Sequence, residues 1–405
     1  MRKKIHLILG MVIVLALTAC STEKGHSLKS GNWHAEFYVH GDSIPFEFSV
    51  SSTDSSCLVT LRNGAERVPL NQVKIVGDSV IIPIPDYDTE LKGRIDGDRL
   101  TGVFYRLFAG KKSEIPFRAV HGNYPRFSNG EEGTISMTGR WNIQFIALSD
   151  TEKNVGIFHL DQDILTGSVL TNTGDLRYLE GVSSANGFEL SAFAGLSPYL
   201  FRGHFTDKDH FDGEFITSHS SVQLKGTRNP NAELADPYSL THMKKGYSKL
   251  HFKLPNEKGQ MVALSDPQFK GKVVIVSILG SWCPNCRDEM AYLGPWYQKN
   301  KKRGVEIVGL AFERKADPDY AWKAIQRMEK KYGATYPVLF AGKLGTAPTI
   351  LPEIDHLMSY PTTLFIDKKG NVRKIHTGFN GPATGLFYDE FKKDFNGLVD
   401  QLLKE

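Results

Sequence analysis

Two cysteines separated by two residues, Cys283 and Cys286, come shortly after a nearly continuous apolar run that extends from Val273 to Leu279. Such a run predicts a strand buried on both faces, because a half-exposed strand alternates between apolar and polar residues. A helical pattern from Asp288 to Lys301 follows the cysteines. A buried strand that leads through a Cys-x-x-Cys turn into a helix restricts this part of the chain to an α/β domain.

The rest of the C-terminal region continues the alternation of strands and helices. Asp317 opens a helix with Pro318 in its first turn, where the missing N–H of proline costs no helical hydrogen bond. The pattern predicts strands at 305–312 and 336–340, a helix at 317–332, a hairpin at 362–367 and 372–376, and a closing helix at 388–403. We therefore assign residues 247–405 to one α/β domain, preceded by a non-periodic linker at 229–246.

Residues 31–228 show a different pattern, in which short alternating runs are separated by Gly, Asn, Asp and Pro. Trp33 to Val39 and Trp141 to Phe145 have the period-two alternation of strands, and no amphipathic helix of useful length is visible. The pattern predicts an all-β region before the α/β domain, so the fold class is multidomain.

The β-rich region also repeats itself. The segment Gly31-Asn32-Trp33 is matched by Gly139-Arg140-Trp141, and the blocks 92–95 and 100–104 are matched by 202–205 and 211–215. We favour a duplication, with copies at about 31–122 and 139–226, over a chance match of common residues. Each copy predicts a small antiparallel meander, and the pattern leaves open whether the copies form two packed units or one continuous barrel-like sheet.

The N-terminus has the organisation of an export signal. Basic residues at positions 2–4 precede a mostly apolar run, Ile5 to Leu17, which is too short to span a bilayer comfortably. It ends in Leu17-Thr18-Ala19-Cys20, which resembles the bacterial lipobox. We expect a signal peptide at 1–19, lipid attached to Cys20 and a polar tether at 20–30. A plain signal peptide or an uncleaved anchor is the alternative.

The composition argues against two classes of protein. The net charge is +4 and no basic stripe is interleaved with aromatic residues, so nucleic acid is not an expected partner. Four cysteines are too few for a disulfide-stapled scaffold. Cys57 lies on a predicted strand, and we expect it to be a buried small hydrophobe.

The Cys-x-x-Cys spacing predicts dithiol exchange. Cys283 would lie at a helix N-terminus, where unpaired N–H groups and the helix dipole stabilise a thiolate. Cys286, one turn further on, can then displace a substrate from a mixed disulfide with Cys283. We expect Trp282 to pack beside the pair, and Pro284 and Asn285 to set the geometry of the loop.

Other interpretations of the pair are a zinc half-site and two structural thiols. A Cys₄ zinc site needs two more ligands, usually from a second pair, and Cys57 stands alone. We therefore expect no metal and no cofactor beyond the cysteine pair itself. A further candidate is Pro361, in Ser359-Tyr360-Pro361-Thr362. From the residues alone it is best explained as a trans proline at the start of a strand.

The segment 254–380 resembles the TlpA/ResA-type thioredoxin-like thiol–disulfide oxidoreductases, here in a lipoprotein form with an N-terminal β domain. The resemblance is carried by the matching segments Gly271-Lys272-Val273-Val274, Ser281-Trp282-Cys283-Pro284-Asn285-Cys286, Glu289-Met290, Tyr336-Pro337-Val338-Leu339, Pro361-Thr362-Thr363 and Ile366-Asp367-Lys368-Lys369-Gly370. It implies a thioredoxin fold in which a cis Tyr360–Pro361 loop, with Thr362, faces the cysteines.

The resemblance also implies a role for Glu289, three residues after Cys286. In this family that glutamate lies under the active-site helix and helps to manage the cysteine protons, whereas the spacing alone allows a solvated helix residue equally well. The family often has a proline after its Glu-Met pair. Here the position is Ala291, which puts a kink of the helix in doubt.

Together these observations predict a membrane-anchored enzyme in the cell envelope that faces the periplasm, on either the inner or the outer membrane. It would reduce protein disulfides and draw electrons from a membrane partner. One alternative is a ligand- or client-binding lipoprotein whose thioredoxin-like domain is only a docking module. The other is a thiol peroxidase, against which stands Gly280 at the position where peroxiredoxins have threonine.

Overall fold

The computed structural model describes residues 27–53, 56–108, 111–128, 135–146 and 153–405. The expected signal peptide and Cys20 lie outside the described residues, so the predictions about them stay predictions. Among the helices of the described part, none combines the length and the apolar character that crossing a bilayer requires.

The first β unit is a nine-stranded antiparallel sheet in the order β4-β3-β2-β1-β9-β8-β7-β6-β5. Its strands alternate between buried and exposed residues, and Trp33, Phe37, Phe46 and Phe104 form the centre of its core. The strands are β1 (Gly31–Val39), β2 (Asp42–Ser52), β3 (Cys57–Asn63), β4 (Glu66–Leu70), β5 (Lys74–Val76), β6 (Ser79–Ile84), β7 (Thr89–Asp96), β8 (Arg99–Phe108) and β9 (Lys111–His121).

The second β unit is also nine-stranded, in the order β11-β10-β18-β17-β16-β15-β14-β12-β13. An additional pairing of β11 with β12 closes this sheet into a barrel. The strands are β10 (Gly139–Phe145), β11 (Asn154–Asp161), β12 (Ile164–Thr171), β13 (Gly174–Asp175), β14 (Leu179–Ser184), β15 (Gly187–Ala192), β16 (Tyr199–Asp207), β17 (His210–Thr217) and β18 (Ser221–Arg228).

The two units repeat each other in detail, which confirms the predicted duplicated meander. In each copy the first strand pairs with both the second and the last. The indole of Trp33 donates to the carbonyl oxygen of Lys29, and that of Trp141 donates to the carbonyl oxygen of Met137, both at 2.9 Å. The copies form separate sheets, which resolves the alternative that the sequence left open.

The C-terminal domain has a five-stranded sheet in the order β24-β23-β22-β26-β27. Strands β22 to β24 are parallel, and β26 and β27 are antiparallel additions. The strands are β19 (His242–Met243), β20 (Lys253–Pro255), β21 (Met261–Ala263), β22 (Val273–Leu279), β23 (Val305–Glu313), β24 (Val338–Lys343), β25 (Ile354–Asp355), β26 (Thr362–Ile366) and β27 (Val372–Thr377), and the helices are α1 (Pro284–Asn300), α2 (Pro318–Tyr332), α3 (Ala347–Ile350) and α4 (Leu386–Lys404). This mixed sheet with helices on its faces is the thioredoxin-like fold that the resemblance implied.

Strand β22 is buried on both faces, which explains its continuous apolar sequence. Val273, Ile275 and Leu279 face a core shared with α1 and α4, whereas Val274 and Val276 face a second core on the opposite side of the sheet. Helix α1 begins at Pro284, four residues earlier than the periodicity predicted, because Cys283 caps it and Pro284 occupies its first position. The cysteine pair therefore lies at the carboxyl end of the central strand.

The linker and Cys57 lie in more specific surroundings than the sequence pattern indicated. The predicted linker is packed rather than extended, since Ala232 is buried with Val155 and Leu170 of the second β unit, and β19 pairs with β25. Cys57, expected to be buried, is only half-buried because it begins β3 at the edge of the core. There its sulfur accepts a hydrogen bond from the Ser52 hydroxyl at 3.5 Å.

Candidate active site

The N-terminus of helix α1 holds Cys283. This residue is the helix N-cap, and its Sγ accepts a hydrogen bond from the backbone N–H of Cys286 at 3.3 Å. The first N–H groups of a helix have no partner within the helix and carry the positive end of its dipole. The structure thus places Cys283 at a helix N-terminus, the position that the sequence predicted.

Cys286 lies behind Cys283, on the inner side of α1. Its side chain is 1% exposed. Burial raises the pKa of the Cys286 thiol well above its ordinary value, and its contact with Cys283 adds to the rise. Both cysteines are free thiols in this structure. The arrangement thus separates an N-terminal sulfur held by a backbone donor from an inner sulfur that is kept protonated.

The loop before β26 closes the other side of the pair. The Tyr360–Pro361 peptide bond is cis, as the family resemblance implied. The Cys283 thiol donates to the carbonyl oxygen of Tyr360 at 3.3 Å. The Thr362 hydroxyl donates to the carbonyl oxygen of Ser359 in its own loop at 2.8 Å. Of the three predicted loop residues, Tyr360 is the one whose carbonyl oxygen is hydrogen-bonded to Cys283.

Trp282 borders the pair on the side of β23. Its indole donates to the carbonyl oxygen of Phe312 at 2.9 Å, and its ring meets the Tyr360 ring edge-on at 5.8 Å between centroids. The guanidinium of Arg314 lies 5.6 Å from the centre of the Trp282 ring. Trp282 is therefore fixed in place beside the cysteines.

Glu289 is buried beneath the active-site helix. Only 2% of it is exposed, so the alternative of a solvated helix residue is wrong. The Ser277 hydroxyl donates to its Oε2 at 2.6 Å, and the Thr363 hydroxyl donates to its Oε1. Burial raises the pKa of Glu289 to about 7, against the two hydrogen bonds, which act to lower it. A carboxyl group with such a pKa exchanges its proton near neutral pH.

A second buried carboxylate, Glu313, was not predicted. It accepts the backbone N–H of Ser281 at 2.8 Å and the Ser281 hydroxyl at 2.7 Å. These bonds fix the turn that leads into Trp282 and Cys283. The sequence signal for Glu313 is weak, since it is one acidic residue at the end of a buried strand. Ser277 was the more visible signal, as the polar residue within the apolar run of β22.

The β units form one wall of the site, which the sequence did not predict. A cleft of about 240 Å³ lies above Cys283, Pro284 and Asn285. Across the cleft stand Tyr87 of the first unit and a larger group from the second unit, which includes Ala194, Leu196 and Tyr199. Each of these residues precedes Cys283 by 84 positions or more. No local motif marked them.

A charged cluster joins the second β unit to α1. Arg177 donates to Oδ2 of Asp288 at 2.9 Å and forms an ion pair with Glu66 of the first unit. Burial raises the pKa of Asp288 to about 7, while the charge of Arg177 opposes the rise. Asp175, next to this cluster, accepts the backbone N–H of Gly381 at 2.6 Å. The cluster therefore ties both β units to the region around the cysteines.

A loop of the first β unit holds α1 from its other side. Asp86 forms ion pairs with Arg287 at 3.0 Å and with Lys331 at 2.7 Å. Arg287 is 2% exposed and also donates to the carbonyl oxygen of Ser281 at 2.8 Å. This buried cation links the loop between β6 and β7 directly to the active-site turn.

Comparison with known proteins agrees with this geometry. Residues 246–375 match the AhpC/TSA family. Thiol-disulfide oxidoreductase ResA of Bacillus subtilis (strain 168) is 33% identical over 149 residues, which cover 36% of this chain and 74% of that protein. The protein of the same name from Geobacillus kaustophilus (strain HTA426) is 32% identical over 129 residues, covering 31% of this chain and 66% of that protein.

Solved structures show similarity to the same part of the chain. A thiol:disulfide interchange protein from Chlorobium tepidum TLS is 25% identical, with a TM-score of 0.30, and the match covers 38% of this chain and 95% of that one. A thiol-disulfide oxidoreductase from Bacteroides fragilis NCTC 9343 is 20% identical, with a TM-score of 0.28, and the match covers 36% of this chain and 99% of that one.

The fold, the site and the sequence relatives define the class of the protein: it is a thiol–disulfide oxidoreductase with a thioredoxin-like domain. Through this C-terminal domain the chain belongs to the family of the thiol–disulfide oxidoreductase ResA.

Proposed function

We propose that this protein is a membrane-anchored, extracytoplasmic reductase of protein disulfides, with Cys283 as the nucleophile and Cys286 as the resolving thiol. The observation that carries the assignment is the hydrogen bond from the Cys286 N–H to the Cys283 sulfur at the start of α1. That bond places the Cys283 sulfur at a helix N-terminus, and the thiolates found at such positions are the attacking species in thiol–disulfide exchange.

The exchange has two steps. The Cys283 thiolate attacks one sulfur of the substrate disulfide, forms a Cys283–substrate disulfide and releases the other substrate sulfur as a thiolate. Cys286 then loses its proton and attacks Cys283, so that the second substrate sulfur leaves. The enzyme pair is oxidised by two electrons, and the substrate disulfide is reduced by two electrons and takes up two protons.

Glu289 is the candidate acceptor for the Cys286 proton. The Cys286 thiol is buried and holds its proton tightly, so the second step needs a base on the inner side of the helix. The Glu289 carboxyl lies on that side and raises the pKa of Cys286 through its charge. A pKa of about 7 matches the group to proton transfer near neutral pH.

The reductive direction is supported by the burial of Cys286. Strong oxidants of this fold owe their potential to stabilisation of the reduced, thiolate form. Here burial and the Glu289 carboxyl both disfavour a Cys286 thiolate, so any such stabilisation of the reduced pair is confined to Cys283. We expect the pair to have a more negative potential than the glutathione couple, and redox equilibration against glutathione measures it.

The cellular setting follows from the leader. The apolar run that ends in Leu17-Thr18-Ala19-Cys20 supports lipid attachment and a location in the cell envelope, facing the periplasm. A reductase in that oxidising compartment draws its electrons from a membrane donor. Replacing Cys20 with Ala would release the protein from the membrane fraction, and a variant that stays in that fraction would contradict lipid anchoring.

A single-turnover assay tests the chemistry. The reduced full-length protein is mixed with an excess of a disulfide, and oxidation of the pair is followed by mass spectrometry after an acid quench. We expect Cys283→Ser to abolish reduction of the disulfide, while Cys57→Ser, which removes a thiol from the edge of β3, reacts as the parent does. Equal rates in Cys283→Ser and the parent would instead support a docking module.

A further inference from the structure

The Cys283 side chain is largely hidden in the full-length chain. Only 5% of the residue is exposed, and residues of both β units line the cleft above it. The cleft holds about 240 Å³, which is below the roughly 300–1,000 Å³ of sites that enclose drug-sized ligands. A disulfide must therefore enter this narrow space to reach the sulfur.

The cleft-facing surface of the β units, called the roof below, packs closely against the active-site turn. Gly174, in β13, packs so tightly against Asn285 that a Cβ atom built on the glycine would lie 1.6 Å from the Asn285 amide nitrogen. A Cβ atom on Gly378, in the loop after β27, would lie 2.9 Å from the carbonyl oxygen of Asn172. The turn between β12 and β13 therefore occupies the surface beside the cysteines, and a substrate cannot use that surface while the turn is seated there.

The roof is also held in place from both sides. Arg177 joins Glu66 and Asp288, and Asp86 joins the buried Arg287. Ala194, Leu196 and Tyr199 line the cleft together with polar residues that include Asn63 and Ser197. Because the Arg177 guanidinium already bonds two carboxylates, it offers little to a negatively charged substrate.

We propose that the β units restrict Cys283 to disulfides on narrow, flexible carriers and exclude disulfides at the surface of folded proteins. Such carriers are low-molecular-weight disulfides or unfolded chain segments with small, uncharged flanking groups. The inference rests on the proposed function, since it names the substrate class of the same exchange reaction. We choose Leu196 to test this restriction, because its half-buried side chain lines the cleft on the side of the β units.

The single-turnover assay tests the proposal with three probes. They are bis(2-hydroxyethyl) disulfide, a short unstructured peptide with one disulfide, and folded insulin. Each rate constant is divided by that of the same disulfide with free 2-mercaptoethanol, which removes its intrinsic reactivity. We expect the normalised rate for insulin to be lower by about tenfold or more, a factor typical of size discrimination in an apolar pocket. If the normalised rate for the peptide is as high as that for bis(2-hydroxyethyl) disulfide, unfolded segments are substrates. If it is as low as that for insulin, the substrates are low-molecular-weight disulfides.

Variants of the roof give the matched comparison. Leu196→Ala widens the cleft and is expected to raise the normalised insulin rate, whereas Leu196→Trp narrows it and lowers the rates for all three probes. Leu160→Ala replaces another half-buried leucine of the second β unit that does not line the cleft, and should leave the ratios unchanged. Equal normalised rates in the parent, or the same ratio in Leu196→Ala and the parent, overturn the proposal.

Alkylation separates failure of this proposal from failure of the proposed function. Modification of Cys283 by N-ethylmaleimide and by a maleimide carrying a polyethylene glycol chain requires access but no redox activity. If the pair does not exchange with disulfides but still discriminates between the two maleimides, the proposed function fails and the restricted access stands. If both maleimides react equally fast while the disulfides are reduced, the function stands and the narrow cleft is overturned.

Discussion

The C-terminal domain and the two β units contribute differently to one site. The C-terminal domain holds the reacting sulfurs and the buried carboxyl of Glu289 within a helix and two neighbouring strands. The β units hold no thiol near the pair, among the residues that the structure describes, but form the opposite wall of the cleft. Chemistry is thus local to one domain, whereas access depends on contacts between domains.

This difference predicts two kinds of variant. A change in the C-terminal site should scale the rate for every disulfide by the same factor, because each disulfide passes through the same two exchange steps. A change in the β units should alter the ratio between narrow and bulky disulfides, because it alters the approach to Cys283. The following variants test this division.

The largest effect is expected from Cys286→Ser. Without the resolving thiol, the protein should stop at the disulfide between Cys283 and the substrate, so turnover is lost for narrow and bulky substrates alike. Trapped adducts are visible by non-reducing electrophoresis and mass spectrometry, and their identification also gives the substrate class. Turnover of any disulfide by this variant would show that the pair does not act as a unit.

Asp86→Ala is expected to have the next largest effect, and it is a variant of the β units. It leaves Arg287, which is 2% exposed, without its half-buried ion-pair partner, and the cost should be at most the roughly 3–5 kcal/mol of breaking a fully buried pair. We expect a lower thermal unfolding temperature together with a higher normalised rate for folded insulin. Asp98→Ala, which removes an exposed pair with Lys29, is the control and should change neither. A stable Asp86→Ala protein with unaltered substrate ratios would contradict the inference that the Asp86–Arg287 ion pair holds the first β unit against α1.

Glu289→Gln tests the role of the buried carboxyl. Because its pKa is about 7, the carboxylate that accepts the Cys286 proton forms as the pH rises through 7. In the parent the rate of the second step should rise over that range. The variant should lack this rise and be slower by roughly 10²-fold above pH 7, for all disulfides equally. Stopped-flow measurements of mixed-disulfide decay between pH 5 and 9 check it.

The same substitution has a stability consequence of known sign. A folded-state pKa above the unfolded value means that the neutral form stabilises the fold and that this stability is lost as the pH rises through about 7. Glu289→Gln should therefore gain stability relative to the parent above pH 7. Glu329→Gln is the matched control, since burial also raises the pKa of Glu329 to about 7 on α2. It should share the stability effect and leave the exchange rate unchanged.

Much of the fold could be predicted because its signals are local. The apolar run of β22, the proline at the start of α2 and the repeated Gly-x-Trp segments are short patterns whose meaning does not depend on distant residues. The start of α1 was misplaced because the helical pattern appears only after its first turn. The Cys57 expectation was wrong because an edge position depends on which strands cover it.

The sequence by itself determined the chemistry: a Cys-x-x-Cys turn between a buried strand and a helix, with Glu289 one turn further on. Only the tertiary structure decided that Glu289 is buried between Ser277 and Thr363, and that residues of two β units cover Cys283. The physical reason is how far apart along the chain the interacting residues lie. Backbone geometry at a helix N-terminus is set by neighbouring residues, whereas burial and access are set by surfaces that meet only after segments 84 or more residues apart have folded.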